Sequence, residues 1–560
     1  MVGHVATAAL TTAVLCAQPA LGPLTITATQ SDDLERAQNV LEKMQRRNDL
    51  RSGEVTPDPM VPGRVHQRFV QHHQGVRVKG GDIRVQTHLG ATITVFGRIH
   101  PDVSIDTRPT LTPEDALRIA LAAGHGHAGA TLPTLAIVLA PTVPAQSRVA
   151  EYEYQLVYDV TSFDTFGPLA GRPVVREVDA HTGSVVSTRS RLRAQGAPFQ
   201  CADCAVGHGR GTKGDLKKLS VQNTGGRFVA KDGLRQTAIS TYDLKGDWKH
   251  ALDILNAVTP LVDVDLASDT DNIWTDGVSV DAHTGTGWTL DYLHYRFGRA
   301  GLDGENGPIT VLVHPIRRSE FFTVSDEVAS LFHLNAFFCQ DCGLRDVLLF
   351  GEGLPPGERL APLGQVVDFF ASALDIVAHE IGHAVSHYTS RFVYQGESGA
   401  LNEAFSDLLG LGTEFFVAET GRHALEPADY TVGEDVLIPG GIRSISDPPS
   451  MGDPDHYSRR FRGTADNGGV HTNSTIVTHV YYLTIEGGIN GTSGIRVEGL
   501  GVGQRALVEQ IFYRALTMLL PTDATFSMAR DATLQSARDL SDDQVVEQTI
   551  STAWSAVGIE

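Results

Sequence analysis

The residues of this chain with the most chemistry in them are His379-Glu380-Ile381-Gly382-His383, followed by Asn402-Glu403-Ala404-Phe405-Ser406-Asp407. Residues four apart share a helix face, so His379 and His383 can aim their imidazoles at one point. Two imidazoles and the Glu403 carboxylate make a three-ligand zinc set with a fourth position left for water. Glu380, beside the first ligand, stands where a base would take a proton from that water. Asp407, four residues beyond Glu403 on the same face, can accept the outer N–H of a ligand histidine and fix its tautomer. His-Glu-x-x-His alone arises by chance in long chains. With Glu403 and Asp407 added, the reading is a zinc-dependent hydrolase.

These side chains need two helices. One is expected over Ala371–Tyr388 and the other over Leu401–Phe416. Upstream, from about Gly207 to Val377, the pattern is strand-rich with a helical stretch at Trp288–Arg299. Downstream it is helical, with segments at Thr475–Ile485 and Gly503–Leu520. A cleft floored by the first helix, between a β-rich and an α-rich lobe, is the expected architecture.

The segment His379 to Asp407 resembles the active-site core of the thermolysin family of secreted metallopeptidases. A second block, Arg443–Pro448 and Gly452–Tyr457 running on to Asp466–His471, is similar to that family, as are Asn335–Phe338 and Ala556–Ile559. The matches span roughly Gly207 to Glu560 in order. The resemblance implies an α+β fold with a two-lobed catalytic domain, and an endopeptidase activity on protein and peptide substrates. It implies that His379, His383 and Glu403 hold one Zn2+ and that Glu380 is the general base. It also implies that His471 and Tyr394 donate to the oxyanion, with Asp466 orienting His471. Asn335 and Ala336 would bind substrate backbone, and Arg443 a substrate carbonyl. Ile376, Val436 and Ile442 fall at positions resembling the pocket after the scissile bond, which implies a preference for a large apolar residue there.

Calcium is a second inference. Asp375 lies one turn before His379, and Glu414 lies about three turns after Glu403, so the two carboxylates can meet where the helices run side by side. Asp429 and Glu434 would complete an oxygen-rich cage. That pattern resembles the family's interhelical calcium site. Asp269 and Asp271 resemble a further surface calcium loop, although Ile273 stands where the family has a polar residue. A solvated acidic turn explains that loop equally well. One Ca2+ is expected, with a second left open.

Lys plus Arg number 45 against 66 Asp plus Glu, for a formal net charge of −21. That argues against nucleic-acid binding and fits an extracellular, calcium-rich setting. The apolar run Val5–Leu15 reads as a signal peptide over 1–21, and no later run is long enough to span a bilayer. Secretion is the expectation. After Cys16, the cysteines form two Cys-x-x-Cys pairs, Cys201/Cys204 and Cys339/Cys342. They read as disulfides, local or cross-linked, with a four-thiolate zinc site as the alternative.

The region before the catalytic part reads as a precursor segment. Phe69–Gln71 and Gly75–Ile83 alternate like strands around a glycine turn. Residues 22–105 resemble the propeptide module shared by thermolysin and fungalysin precursors. Thr112-Pro113-Glu114-Asp115 opens a helix with a cap, a first-turn proline and early acids. Tyr152–Tyr158 and Val174–Val186 are strand-like about the turn Asp179–Gly183, and residues 106–193 resemble a PepSY-type module. Residues 194–206 would be the linker cut during maturation, leaving peptidase lobes at 207–388 and 389–560. The propeptide would act as intramolecular chaperone and inhibitor, a role implied by the resemblance.

Three other classes compete with this reading, one of them a calcium-dependent adhesion or structural protein, which would need repeats or appended binding modules. A zinc aminopeptidase shares the motif, but no acidic clamp for a free N-terminus is evident. A catalytically silent zinc- or calcium-binding protein would have lost its base or oxyanion donors, and Glu380, His471 and Tyr394 are all present.

Overall fold

The computed structural model describes residues 23–101, 103–124, 127–128, 132–141, 152–163, 173–190, 203–339, 342, 344, 346–361, 363–420 and 427–560. The expected signal segment and residues 194–202 of the expected linker lie outside the described residues.

In the N-terminal region, helix α1 (Ser31–Arg46) follows strand β1 (Leu24–Ala28), then come β2 (Leu50–Pro57), β3 (Arg64–His73), β4 (Val76–His88) and β5 (Ala91–Ile99). The β3–β4 hairpin turns on Gln74 and Gly75, both at positive φ, as a two-residue loop matched to strand twist requires. After α2 (Pro113–Gly124) come β6 (Thr134–Pro141), β7 (Tyr152–Phe163), β8 (Pro173–Asp179) and β9 (Val185–Ser190). All these strands, with a two-residue strand at His127–Ala128, join one ten-stranded sheet. Its junction is the parallel pairing of Arg77 and Val78 in β4 with Ala136 and Ile137 in β6. Each helix covers its own apolar cluster. On α1, Ala37, Leu41 and Met44 face Ile83, Val95 and Ile99. On α2, Ala116 and Ala120 face Ile137, Tyr158 and Val178. Thr112 and Asp115 cap α2 reciprocally, the Asp115 N–H donating to the Thr112 hydroxyl at 3.1 Å and the Thr112 N–H to the Asp115 carboxylate at 3.4 Å.

The next lobe pairs β10 (Cys204–Arg210) with β11 (Leu216–Asn223) in one five-stranded sheet. A second five-stranded sheet contains β12 (Ile239–Asp243), β13 (Ile309–Val313), β14 (Ala336–Cys339) and β15 (Val347–Phe350), with β14 at its edge. Between these strands lie helices α3 (Trp248–Leu255), α4 (Gly277–Phe297) and α5 (Asp326–Phe332). Helix α4 is buried along almost its whole length and ends at Gly298 in the left-handed conformation. The sequence pattern revealed only its second half because a helix buried on nearly all sides, with Ser279, Asp281, His283 and Thr286 among its buried residues, has no apolar stripe set against a polar face.

Helix α6 (Leu374–Tyr388) carries the His-Glu-x-x-His motif. It starts later than the expected Ala371, because Phe370–Ser372 form a 3-10 turn and Ala373 is extended. Helix α7 (Gly396–Glu419) exceeds Leu401–Phe416 at both ends and, like α4, is buried nearly all round. Beyond it lie α8 (Asp466–Glu486), α9 (Arg505–Arg514), α10 (Phe526–Leu540) and α11 (Gln544–Ala556), packed around Phe512, Phe526 and Trp554. The segment expected as one helix to Leu520 is split: α9 passes into a π-turn over Ala515–Leu519, where the Ser390 hydroxyl donates to the Leu516 carbonyl. Helices α6 and α7 touch through glycines. A Cβ on Gly382 would sit 2.6 Å from the Ser406 Cα, and one on Gly410 would sit 2.7 Å from the Asp375 carbonyl oxygen. That approach sets the geometry of both charged clusters described next.

Candidate active site and cation clusters

His379 and His383 project from α6 toward Glu403 on α7, and one ligand atom from each of the three lies within 4.8 Å of the others. The outer nitrogens are already engaged. His379 Nδ1 is 2.8 Å from Asp407 Oδ1, and His383 Nδ1 is 3.1 Å from Asn402 Oδ1 and 3.2 Å from the Ser406 hydroxyl. Both Nε2 atoms therefore face Glu403, each at 3.5 Å from a carboxylate oxygen. Glu403 is fully buried, and its Oε2 has no hydrogen-bond partner. Burial alone would raise its pKa, but His383 and His379 outweigh that and hold it well below the usual carboxylate range. Burial also opposes charge on His379, yet Asp407 and Glu403 lift it to about 10. Two imidazole Nε2 atoms and a buried Glu403 oxygen without a hydrogen-bond partner thus converge on one point. That fits a divalent cation bound by two nitrogens and one oxygen.

Glu380, the next residue on α6, is buried, and burial pushes it up to about 7. Its Oε2 accepts the Phe338 N–H at 2.8 Å. Strand β14 pairs with β15 on one side only, Ala336 opposite Phe350 and Cys339 opposite Val347. Its other edge is thus turned to the site. Asn335 precedes it, with its carbonyl accepting from the Gly351 N–H at 2.9 Å.

On the opposite wall the run Asn467-Gly468-Gly469 is left-handed, with φ of 48°, 89° and 77°. Glycine permits this at two of the three positions. The kink folds Asp466 back over His471, where its carboxylate meets Nδ1 at 2.6 Å and accepts the His471 N–H at 3.0 Å. His471 Nε2 then points inward, 3.5 Å from Glu403 Oε2 and 3.3 Å from the Tyr394 hydroxyl. Tyr394 donates to Glu403, and burial with that carboxylate keeps its phenol protonated. Arg443 is buried and grips Asp407 with two bonds of 2.7 and 3.0 Å.

A second cluster lies farther along the same helix pair. Asp375 accepts the Gly433 N–H at 2.5 Å and the Ile376 N–H at 2.7 Å. Burial pushes Asp375 up to about 6 and Glu434 to about 8, and raises Glu414 well above its ordinary value. Mutual repulsion adds to each shift, with Asp429 and Asp435 contributing. Glu414 Oε2 and Glu434 Oε2 are buried without hydrogen-bond partners. Asp269 and Asp271, by contrast, cap their own turn, accepting the Asp271 and Ile273 N–H groups at 2.9 Å. The Cys339/Cys342 pair is bridged locally; Cys204 is disulfide-bonded too, and Cys201 lies outside the described residues.

Two family models match this chain. The thermolysin metallopeptidase catalytic domain matches residues 206–387, and the thermolysin metallopeptidase alpha-helical domain matches residues 390–559. Bacillolysin of Brevibacillus brevis is 32% identical over 507 residues, covering 88% of this chain and 82% of that protein. The chain belongs to the thermolysin metallopeptidase family. It is accordingly a zinc-dependent metalloendopeptidase. The thermostable neutral protease NprT of Geobacillus stearothermophilus is 32% identical over 518 residues, covering 89% of this chain and 84% of that protein. The solved precursor of protealysin from Serratia proteamaculans is similar at a TM-score of 0.42 and 25% identity, over 57% of this chain and 87% of that one.

Four groups in these two clusters escaped the sequence reading, Asn402 at His383 among them. The Phe338 N–H on Glu380 depends on sheet register, and no residue type signals a backbone donor. Ser406 at His383 and Asp435 in the carboxylate cluster were visible as residues, but each has a common bland reading. Asp435 also pairs with Lys213 from the other lobe, a contact that local spacing cannot reveal.

Proposed function

We propose that the chain is the zymogen of a secreted endopeptidase whose His379, His383 and Glu403 hold one Zn2+ and whose Glu380 is the general base. The observation that carries the site assignment is the convergence of three donors with their outer atoms already tied, leaving a buried Glu403 oxygen without a partner. Zinc, when bound, supplies a Lewis acid that polarises the substrate carbonyl and acidifies water. The protein's own groups do the rest. Glu380, held by the Phe338 N–H, takes the proton of the attacking water and passes it to the leaving nitrogen. His471, fixed by Asp466, and Tyr394 donate to the oxygen on which negative charge develops. Asp407 holds His379 in the tautomer that presents Nε2, and Arg443 anchors Asp407.

Asn335 and Ala336 on the open edge of the sheet align substrate backbone as an added strand. Ile376, Val436 and Ile442 favour a large apolar residue after the scissile bond. Asp375, Glu414, Asp429 and Glu434 hold one Ca2+, a reading supported by the Glu414 and Glu434 oxygens buried without hydrogen-bond partners near buried Asp375; Asp429 is exposed. At Asp269/Asp271, both carboxylates already cap backbone, so the case for a second ion is weaker. The N-terminal region serves as propeptide, with modules at 22–105 and 106–193 and release within 194–206. Its docking on the helical lobe, described below, is consistent with a chaperone role. Secretion is consistent with the acidic surface and with the finding that no described helix is long and apolar enough to cross a membrane.

The test is cleavage of casein and of a blocked peptide by processed protein, with and without 1,10-phenanthroline, beside Glu380→Gln. Chelator-sensitive endoproteolysis that falls by three orders of magnitude or more in Glu380→Gln is the expected result. A folded, zinc-loaded wild type that cleaves nothing would overturn the reading.

A further inference from the structure

The edge strand β14 has a feature that catalysis as described does not use. Its last residue, Cys339, is bridged to Cys342. The residue before the bridge, Phe338, gives its N–H to Glu380 at 2.8 Å. The bridge therefore sits one residue from the group that holds the proposed base, at the end of the strand that would receive substrate.

Three observations say what the bridge does. First, β14 is four residues long and has a single ladder partner, β15, so little else resists fraying at its end. Second, Cys342 is buried, packed with Phe332, Val347 and Leu349 in an apolar cluster that also includes Leu255 and Ile316. The bridge thus fastens the strand end to the core of the lobe rather than to a surface loop. Third, the return of the chain is held to α6. Asp346, left-handed at φ 49° and buried, accepts the Tyr388 hydroxyl at 2.7 Å, and its carbonyl accepts the Thr310 N–H at 2.9 Å. The two ends of the connection between β14 and β15 are therefore both fixed, one by the bridge and the other by the last residue of the helix that carries Glu380.

A bridge that closes so short a loop removes little entropy from the unfolded chain compared with one spanning a long loop. Its main consequence is therefore local. The geometry points to the Cys339–Cys342 disulfide as a positioning element for the reaction. It keeps β14 in register for substrate backbone and keeps the Phe338 N–H on Glu380. Placement errors near 1 Å at such a point cost rate far more than they cost fold.

This inference rests on the endopeptidase reading above, and the test separates the two. Oxidised wild type is assayed first on an extended blocked peptide and on a short substrate that reaches only one residue on either side of the scissile bond. Failure of that protein to cleave either sinks the endopeptidase reading itself. Next comes the double variant Cys339→Ala/Cys342→Ala. It is expected to melt within a few degrees of wild type but to lose roughly tenfold to a hundredfold in kcat/KM on the extended peptide. KM should rise on the extended peptide more than on the short one, because only the former uses the length of the strand. A merely structural bridge would lower the active fraction and leave both KM values alone. If the variant does not accumulate, wild type treated with a phosphine replaces it, beside a Cys204→Ala control in which the other bridge is already absent. The phosphine cleaves S–S to two thiols and becomes the phosphine oxide, with water supplying the oxygen and both protons. Activity on the extended peptide should fall and then return on reoxidation, with the melting temperature little changed. Unaltered kcat/KM in the double variant or in the reduced protein, or losses on both substrates that disappear once rates are normalised to the active fraction, overturns the assignment.

Discussion

Two regions of this molecule bury several charges, and they balance them in opposite ways. Between α6 and α7 the carboxylates outnumber the cations. Burial and mutual repulsion push Asp375 to about 6 and Glu434 to about 8, and leave oxygens of Glu403, Glu414 and Glu434 without partners. Where the N-terminal sheet meets the helical lobe most buried charges find partners within the protein, although Arg64 Nε, Arg84 Nε and Asp523 Oδ1 are left without a hydrogen bond. Arg514, fully buried, is held by Asp58 at 2.9 Å and by Asp539 at 2.8 Å; Asp539 also takes Arg64 at 2.6 Å, and Asp58 meets His66 at 2.9 Å. Asp58 is held well below the usual carboxylate range: burial opposes its charge, but His66 and Arg514 prevail. Arg98 with Asp523, and Arg84 with the carbonyl of Thr389 at the end of α6, extend the contact. One region keeps buried carboxylate oxygens without hydrogen-bond partners; the other pairs its buried carboxylates with its own cations. Buried charge is tolerated only when paired or coordinated, and on the proposed reading the first region meets that need with bound ions and the second with a facing protein surface.

The contrast can be broken by experiment. The largest effect is expected from calcium. With free calcium a thousandfold above its dissociation constant, binding adds about 4 kcal/mol to stability. A calcium-selective chelator should therefore lower the melting temperature by many degrees, and Asp58→Ala should not alter that calcium dependence. A melting temperature indifferent to calcium would remove the basis for the comparison. The next largest is Asp58→Ala itself in the full chain. It leaves Arg514 with a single carboxylate partner and should cost about 3 kcal/mol, read from thermal or denaturant unfolding.

A smaller effect concerns pH. His66 is buried, with Asp58 favouring its charge and Arg514 and Arg84 opposing it, and burial leaves its pKa below 6.5. The assembled protein thus binds fewer protons at His66 than the unfolded chain does. Stability from this site is present above about pH 6.5, the unfolded value, and is lost as pH falls through the lower folded value. The full chain should accordingly melt earlier at pH 5 than at pH 7, and His66→Gln should flatten that slope. An equal slope in the variant would exclude His66 as its source. The smallest effect is expected at the rim of the same contact. Glu54 and Arg391 pair at 3.4 Å with Glu54 largely exposed, and Glu54→Gln should shift stability by less than about 0.5 kcal/mol.

How much of this was legible beforehand follows from how local each feature is. His379, His383 and Glu380 are fixed by the period of one helix, and Glu403 with Asp407 by the period of the next, so their grouping could be read from spacing. The same holds for Asp375 and Glu414, which repeat the two stripes a few turns away. The hairpin at Gln74-Gly75 and the cap at Thr112/Asp115 are also short-range, and both lie where the turn chemistry indicates. The start of α6 was misjudged by three residues because Phe370–Ser372 keep helical-looking composition while forming a 3-10 turn. The length of α4 and α7 was understated because helices buried on every side show no polar face.

The sequence by itself determined the donor set, its helical spacing and the chemistry that two imidazoles and a carboxylate beside a base can perform. Helix geometry imposes those relations on any chain that folds locally. Only the tertiary structure decided that Phe338 gives its N–H to Glu380, that Arg443 closes on Asp407, and that Arg514 pairs with Asp58. These partners are separated by 42, 36 and 456 residues. No local preference links such residues; they meet because sheet register and helix packing bury them together, and burial is what makes each pairing necessary.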